Sequence, residues 1–249
     1  MDFFHLLFTW DGFIYFIILS LLEIVLGIDN IIFISIITDK LGKTEQRRAR
    51  NIGLTLALVV RLILLAVVSW IMGMTAVLFT VFGQEISGQD LVLLSGGLFL
   101  IYKSTIEMHN SISGHDESVS SVKKSLSAII TQIVLIDIVF SFDSIITAIG
   151  MTNGMGEATG HSPIIIIYAA VVVSMIIMML FAKPISDFIN NRPTIKMIAL
   201  GFLVTIGVIL VAEAFDQHIP KGYIYFAMMY SLAVEFLNIR MRKNQDTKK

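Results

Sequence analysis

An all-α membrane protein with seven transmembrane helices is the fold class that this sequence predicts, and three observations predict it. Of the 249 residues, 56% are hydrophobic, and the mean hydropathy is +0.84. Only 15% are charged, against roughly 25% in a soluble domain. Apolar stretches close to the roughly 20 residues that a helix needs to cross a bilayer recur along the whole chain. We therefore expect one integral membrane domain over residues 1–249. The absence of cysteine excludes disulfides and thiolate metal ligands.

Seven apolar segments predict the spans in order. They are Phe13 to Ile37, Ile52 to Met74, Leu91 to Ile106, Leu126 to Gly150, Pro163 to Ala182, Met197 to Phe215 and Tyr223 to Ile239. The stretch from Ala76 to Gly83 is apolar but too short to span, and we interpret it as an extension of the second helix or a piece lying on the membrane surface. No cleavable signal peptide is expected, because no short apolar core is followed by a small-residue cleavage site.

Basic residues predict the orientation, because Lys and Arg in short loops are retained on the cytoplasmic side. All of them except Arg61 and Lys221 fall in one alternating set of loops and tails. This set includes the run KTEQRRAR at 43–50, which we interpret as a solvated loop. We expect the amino terminus outside and the carboxyl terminus in the cytoplasm.

An internal repeat is visible where LLEIVLGIDNII at 21–32 aligns without gaps on LIDIVFSFDSII at 135–146. The alignment places Glu23 on Asp137, Asp29 on Asp143 and Asn30 on Ser144. Matching acids are informative because acids in spanning helices are rare. The second copy lies three helices after the first, an odd number, so it starts from the other side of the membrane. The sequence predicts two inverted three-helix repeats, about 13–109 and about 126–215, and a seventh helix at about 223–239.

The four matched acids are costly to bury, which indicates a function. Each costs about 2.5–3.5 kcal/mol near the centre of a spanning helix, so four cost about 10 kcal/mol if the costs add. Members of each pair lie six residues apart, or about 120° around a helix. They would face one ion only if the helix were loosened between them, where Gly27 and Ser141 lie. The candidate metal ligands are Glu23, Asp29, Asn30, Asp137, Asp143 and Ser144.

An oxygen-only ligand set without thiolate or central histidine suits a hard divalent ion such as Mn²⁺, Mg²⁺ or Ca²⁺. The expected partners are this ion, as substrate, and the lipid bilayer; no cofactor and no nucleic acid are expected. Alternatively, the acids pair with Arg61 and Lys103, or are protonated, and only hold helices together. Arg61 is a candidate counter-charge or a structural partner. Glu213 and Glu235 lie near helix ends, where we expect them to reach water.

The motifs EIVLGIDN and DIVFSFDS resemble the two acid motifs of the TerC family of bacterial membrane proteins, named for tellurium resistance. The similarity runs from about Phe13 to Leu237 and is strongest to the short branch without cytoplasmic domains. The resemblance implies a seven-helix inner-membrane fold and metal efflux with Mn²⁺ the favoured substrate. It also implies a metal site at Glu23, Asp29, Asp137 and Asp143, with Asn30 and Ser144 beside them. Family members are also described as tellurite-resistance factors.

Proton antiport is the mechanism that the buried acids suggest. Burial and mutual repulsion favour protonation of the acids without metal, and a divalent ion favours their ionised form, so binding of one expels the other. Two further function classes stay open. One is a membrane scaffold that binds metal without moving it. The other is an intramembrane aspartic protease, which the two matched pairs with a Glu member disfavour, so no enzymatic activity is expected.

Overall fold

The computed structural model describes residues 9–67, 76–81, 84–113, 126–159, 164–217 and 219–246, at a few positions for the backbone alone. In these ranges the chain forms seven helices and two strands. They are α1 (Trp10–Thr38), α2 (Lys43–Ala66), β1 (Val77–Val81), β2 (Gln84–Ser87), α3 (Gly88–Ser113), α4 (Leu126–Thr159), α5 (Ile164–Asn190), α6 (Pro193–Glu213) and α7 (Lys221–Asp246). All seven helices contain a segment long and apolar enough to cross a membrane, which confirms the predicted helix count.

Two stretches between the spans differ from their predicted conformations. The apolar piece that starts at Ala76 does not extend the second helix, because Val77–Val81 is a strand paired with Gln84–Ser87. Its β-branched and aromatic residues favour an extended backbone. The run KTEQRRAR is not a loop, because α2 begins at Lys43. Its Lys, Glu, Gln, Arg and Ala residues are all good helix formers, so they extend the spanning helix instead of preceding it.

Side-chain caps fix the starts of two helices. The Thr9 hydroxyl accepts a hydrogen bond from the backbone N–H of Gly12 at 3.1 Å and caps α1. At the start of α3, the backbone N–H and the hydroxyl of Ser87 donate to Oδ2 of Asp90 at 2.8 and 2.7 Å, and the Asp90 N–H donates back to the hydroxyl at 3.2 Å. This reciprocal capping box pairs polar groups that the helix itself leaves unpaired, and it ends the strand-forming segment.

The helices group into two compact units, of which the first contains α1, α2, α4 and α5 as far as Ser186. In this unit α1 changes character along its length. Its first half exposes large apolar side chains such as Phe13, Ile17 and Leu21, as a lipid-facing surface requires. From Asp29 to Thr38 every residue is buried. Polar residues in this second half are therefore enclosed by protein on all sides of the helix.

The second unit contains the two strands, α3, α6, α7 and the last residues of α5. Gly97 of α3 and Gly207 of α6 bring two backbones together: a Cβ added at Gly97 would lie 2.7 Å from the Gly207 carbonyl oxygen, and one added at Gly207 would lie 2.9 Å from that of Gly97. Small residues at a helix crossing permit this close approach in membranes, where packing drives association. By contrast, α7 exposes Tyr223, Phe226 and Tyr230 as an apolar surface.

Candidate functional site

Glu23 and Asp137, the first acids of the two aligned motifs, meet at one guanidinium inside the first unit. Nη1 of Arg61, on α2, donates to Oε2 of Glu23 at 2.6 Å. Nη2 and Nε of the same side chain donate to Oδ1 of Asp137 at 3.1 and 3.3 Å. The exposed fractions of Glu23, Arg61 and Asp137 are 1%, 2% and 3%. Arg61 therefore forms a buried bridge that connects α1, α2 and α4.

Both carboxylate oxygens of Asp137 accept further hydrogen bonds. The side-chain amide Nδ2 of Asn30 donates to Oδ1 at 2.8 Å, and the hydroxyl of Ser141, one turn further along α4, donates to Oδ2 at 3.1 Å. In this arrangement Asn30 presents its nitrogen to the acid, whereas the sequence suggested it as a neutral oxygen ligand. Asp137 is thus held by donors from three helices, which fixes its rotamer.

The carboxylate of Glu23 accepts fewer hydrogen bonds than that of Asp137. Ser144 of α4 lies beside its carboxylate, but the Ser144 hydroxyl donates to the carbonyl oxygen of Ser141 at 3.2 Å. Oε1 of Glu23 is buried and accepts no hydrogen bond from any residue that the structure describes. A buried carboxylate oxygen without a donor is costly unless a cation or proton compensates it. The Glu23 carboxylate is therefore the incompletely satisfied part of the cluster.

The two motifs contact each other reciprocally. Asn30 of the first motif lies against Asp137 of the second, and Ser144 of the second lies beside Glu23 of the first. These are matching positions of the alignment, since Asn30 corresponds to Ser144 and Glu23 to Asp137. Crossed contacts of this kind mean that α1 and α4 run antiparallel past each other. An inverted repeat produces such a pattern. The inverted repeat therefore stays a prediction, and these contacts support it.

A further matched pair extends the internal similarity beyond the region aligned by sequence. Thr38 near the end of α1 and Thr152 in α4 stand at corresponding positions, and each is 1% exposed. Each hydroxyl donates to the carbonyl oxygens four and three residues earlier, at 2.7 and 3.3 Å for Thr38 and at 2.9 and 3.2 Å for Thr152. Sequence reasoning missed them because a single threonine in a helix carries little signal, although the same offset that aligns the acids aligns this pair.

Of the second acids of the two motifs, Asp29 and Asp143, the structure describes only the side chain of Asp29. Asp29 is 3% exposed and lies in the fully buried half of α1, about 120° around the helix from Glu23. The side chain of Asp143 lies outside the described part of the structure, so the prediction that it joins the site stays a prediction. Among the described side chains, no group of three acidic or histidine residues is arranged to hold a metal ion.

The helix loosening considered between the acids is not present. Both α1 and α4 are continuous through Gly27 and Ser141, respectively. Gly27 instead makes room for Met178 of α5, whose Sδ occupies the space that a Cβ at this position would need. Ser141 uses its hydroxyl for Asp137 and not for its own backbone. The two residues thus serve packing and acid binding, and the acids of each pair keep their angular separation.

Two other charged residues discussed from sequence have local partners. Nζ of Lys103 lies 5.8 Å from the ring centroid of Phe99, on its own helix. Glu235 does not reach water as expected, because it is only 8% exposed. It accepts a hydrogen bond from the Thr194 hydroxyl at 2.5 Å and one from Nδ2 of Asn238 at 3.4 Å. Packing of α6 against α7 covers this acid although it lies near the end of its predicted span.

The charges of the cluster leave a surplus of negative charge. Glu23 and Asp137 are two buried carboxylates of the first unit, and Arg61 supplies one positive charge to them. Arg50, which is also buried, lies eleven residues before Arg61 on α2, or about 16 Å from it along the helix. Carboxylate and hydroxyl oxygens are hard ligands, and Oε1 of Glu23 is a buried acceptor without a donor. Oxygen donors of this kind are the ones that hard divalent cations prefer.

Seven apolar helices with a buried acidic cluster define a helical, multi-pass integral membrane protein. The family model described as "Integral membrane protein TerC family" matches residues 8–249. The chain therefore belongs to the TerC family, as its two acid motifs indicated.

Similar proteins are known from bacteria. The chain is 49% identical over 243 residues to a UPF0053 protein of Haemophilus influenzae, an alignment that covers 95% of this chain and 99% of that protein. It is 50% identical over 227 residues to the UPF0053 inner membrane protein YgdQ of Escherichia coli, covering 91% and 92% of the two chains. It is also 45% identical over 228 residues to the inner membrane protein YoaE of the same species, of which the alignment covers 42%. No solved structure matches this chain.

Proposed function

We propose that this protein is a divalent metal ion transporter of the bacterial inner membrane that exports Mn²⁺ from the cytoplasm. The observation that carries the proposal is the convergence of Glu23 and Asp137, one acid from each motif, on a single buried point with Arg61. One guanidinium does not balance the charge of these two carboxylates. A substrate cation that enters between the two motifs supplies the missing positive charge.

The choice of ion rests on the oxygen ligands and on the resemblance to the TerC family. The family is associated with metal efflux, and hard oxygen donors suit Mn²⁺ better than softer ions. The location rests on the relatives, two of which are named as inner membrane proteins. The distribution of Lys and Arg supports an outside amino terminus and a cytoplasmic carboxyl terminus. No catalytic role is assigned to the acids.

We further propose that protons are exchanged for metal. Acids enclosed by protein cannot all stay ionised without a cation, because water does not reach them to solvate the charge. Departure of the metal therefore favours uptake of protons by the site, and entry of the metal favours their release. Alternating access to the two sides, as inverted repeats allow, would turn this competition into proton-driven export.

A second candidate function is favoured by the hydrogen bonds of Asp137. Since both of its oxygens already accept donors from protein side chains, the cluster could hold α1, α2 and α4 together in a membrane scaffold that moves no ion. The scaffold needs no solvated path to the cluster. It predicts that loss of a motif acid changes protein accumulation rather than metal movement.

Inverted inner-membrane vesicles distinguish these functions, because export from the cytoplasm becomes uptake into the vesicle. We expect Mn²⁺ uptake with the wild-type protein and at least about a tenfold lower rate with Asp29→Ala or Asp143→Ala at equal protein levels. Loss of a spanning-helix acid lowers the cost of insertion, so both variants should accumulate. Glu235→Gln is the matched control, since it removes a buried acid of the second unit. Normal uptake by either motif variant would contradict a shared site, and normal uptake by both would contradict the proposal.

A further inference from the structure

We propose that Arg61 is a tethered counter-cation that sets the charge an ion must carry to enter the site. Before metal binds, its guanidinium bridges Glu23 and Asp137; a divalent cation takes over these carboxylates, and a monovalent one does not. This role makes Arg61 a specificity-determining residue. The inference rests on the proposed function and assigns a task within that site.

The first step is competition for the same oxygens. Nη1 of Arg61 lies 2.6 Å from Oε2 of Glu23, and Nη2 lies 3.1 Å from Oδ1 of Asp137. A metal ion coordinates carboxylate oxygens at about 2.0–2.6 Å along the directions that these N–H groups use. Metal and guanidinium cannot both occupy the space between the two acids. An ion that binds Glu23 and Asp137 together must displace Arg61.

The second step is the charge needed for that displacement. An arginine side chain stays protonated in proteins, so the competitor carries one permanent positive charge. A monovalent ion in the same place restores the same charge, but forfeits the directional hydrogen bonds of the guanidinium. A divalent ion doubles the Coulomb attraction to each carboxylate at a given distance. The exchange is therefore favourable for a divalent ion and unfavourable for Na⁺ or K⁺.

The third step is that the cluster retains acceptor capacity for the incoming ion. Oε1 of Glu23 is buried and accepts no hydrogen bond from the described residues. This oxygen is a point of attachment that does not require the guanidinium to leave first. Metal can contact Glu23 there and then replace Arg61 at the remaining oxygens.

The two repeats differ at the position of Arg61, because only the first repeat has an arginine there. The offset that places Glu23 on Asp137 places Arg61 on Met175 of α5, which is 1% exposed. A helix that matched α2 in full would carry a second buried arginine. With methionine there, the single positive charge of Arg61 serves both Glu23 and Asp137, and a net negative charge remains on this pair to attract the substrate.

The test measures Mn²⁺ binding to the purified full chain in detergent by equilibrium dialysis. The variant is Arg61→Gln, and Arg50→Gln is the matched control, because it removes a buried arginine from the same helix. Binding is measured in NaCl and in N-methylglucamine chloride at equal ionic strength, so that screening is constant and only the small cation changes. We expect Arg61→Gln to bind Mn²⁺ at least about tenfold more tightly, or about 1.4 kcal/mol. Na⁺ should weaken binding to this variant and leave the wild type and the control unchanged.

A purely structural role for Arg61 predicts weaker binding or loss of the folded protein, and no new sensitivity to Na⁺. If Arg61→Gln does not fold, Arg61→Lys replaces it. An ammonium keeps the charge but reaches one carboxylate at a time, so we expect a smaller gain in affinity, about threefold, and a smaller Na⁺ effect than with Arg61→Gln. Unchanged or weaker binding in the folded variant overturns the inference while wild-type binding and vesicle uptake uphold the proposed function. Absence of Mn²⁺ binding and uptake in the wild type overturns both.

Discussion

Replacement of Arg61 by methionine should destabilise the protein markedly, because it leaves Glu23 and Asp137 buried without their shared partner. Methionine is the residue at the corresponding position of α5, so the volume suits a buried site between helices. Removing one partner of a buried ion pair costs about 3–5 kcal/mol. At about 2–4 °C per kcal/mol for a chain of this size, the unfolding temperature should fall by about 6–20 °C.

Thermal unfolding in detergent micelles, followed by far-ultraviolet circular dichroism, measures this effect. The unfolding temperature of Arg61→Lys should fall less than that of Arg61→Met, because lysine keeps the positive charge although it does not bridge the two acids. A triple variant that also carries Glu23→Gln and Asp137→Asn should recover most of the loss, since it leaves no buried charge uncompensated. Added Mn²⁺ should raise the unfolding temperature of Arg61→Met more than that of the wild type, as expected if metal and guanidinium compete. An unfolding temperature of Arg61→Met within about 2 °C of the wild type would refute the structural importance of the bridge.

Two further predictions concern packing and orientation. Gly97→Leu should destabilise the second unit by about 1–3 kcal/mol, because its side chain would meet the opposing backbone; Gly201→Leu, with no atom within 4 Å of the added Cβ, should change the unfolding temperature little. In intact cells, an impermeant thiol reagent should spare Thr44→Cys and label Gln84→Cys, which is a clean comparison in a chain without cysteine. The opposite labelling pattern would show that the orientation is reversed.

The seven spans could be predicted from sequence because burial in lipid demands long apolar segments, a signal that tertiary packing does not erase. Their ends could not. Basic residues are good helix formers, so KTEQRRAR continues α2 although its charge is typical of a loop. At such a boundary the helix propensity of the residues favours a helix, whereas their charge favours a solvated loop. Here the helix propensity prevails.

The candidate site was predictable in its acids but not in its pairing. Burial of charge identified Glu23, Asp29 and Asp137, and the structure encloses all three. Sequence alone left open whether Arg61 pairs with them, because the rotation of α2 about its axis is set by packing against α1 and α4. The same applies to Ser141, whose hydroxyl binds Asp137 only because it lies one turn further along the same face. Glu235 was misplaced for a related reason, since its burial depends on the neighbouring start of α6.

The most direct test of metal transport by this cluster is flux through the purified protein in proteoliposomes with the membrane voltage clamped at zero. One indicator follows Mn²⁺ and another follows the pH of the lumen, with Asp29→Ala as the inactive comparison and Glu235→Gln as the active one. We expect Mn²⁺ movement to be faster when a proton gradient drives protons in the opposite direction, and we expect a proton flux in that direction to accompany it. Asp29→Ala should show neither flux. If Mn²⁺ moves at the same rate with and without the proton gradient, and no proton counter-flux appears, the protein is a uniporter and proton exchange is contradicted. Absence of Mn²⁺ movement through a folded wild-type protein would contradict transport itself.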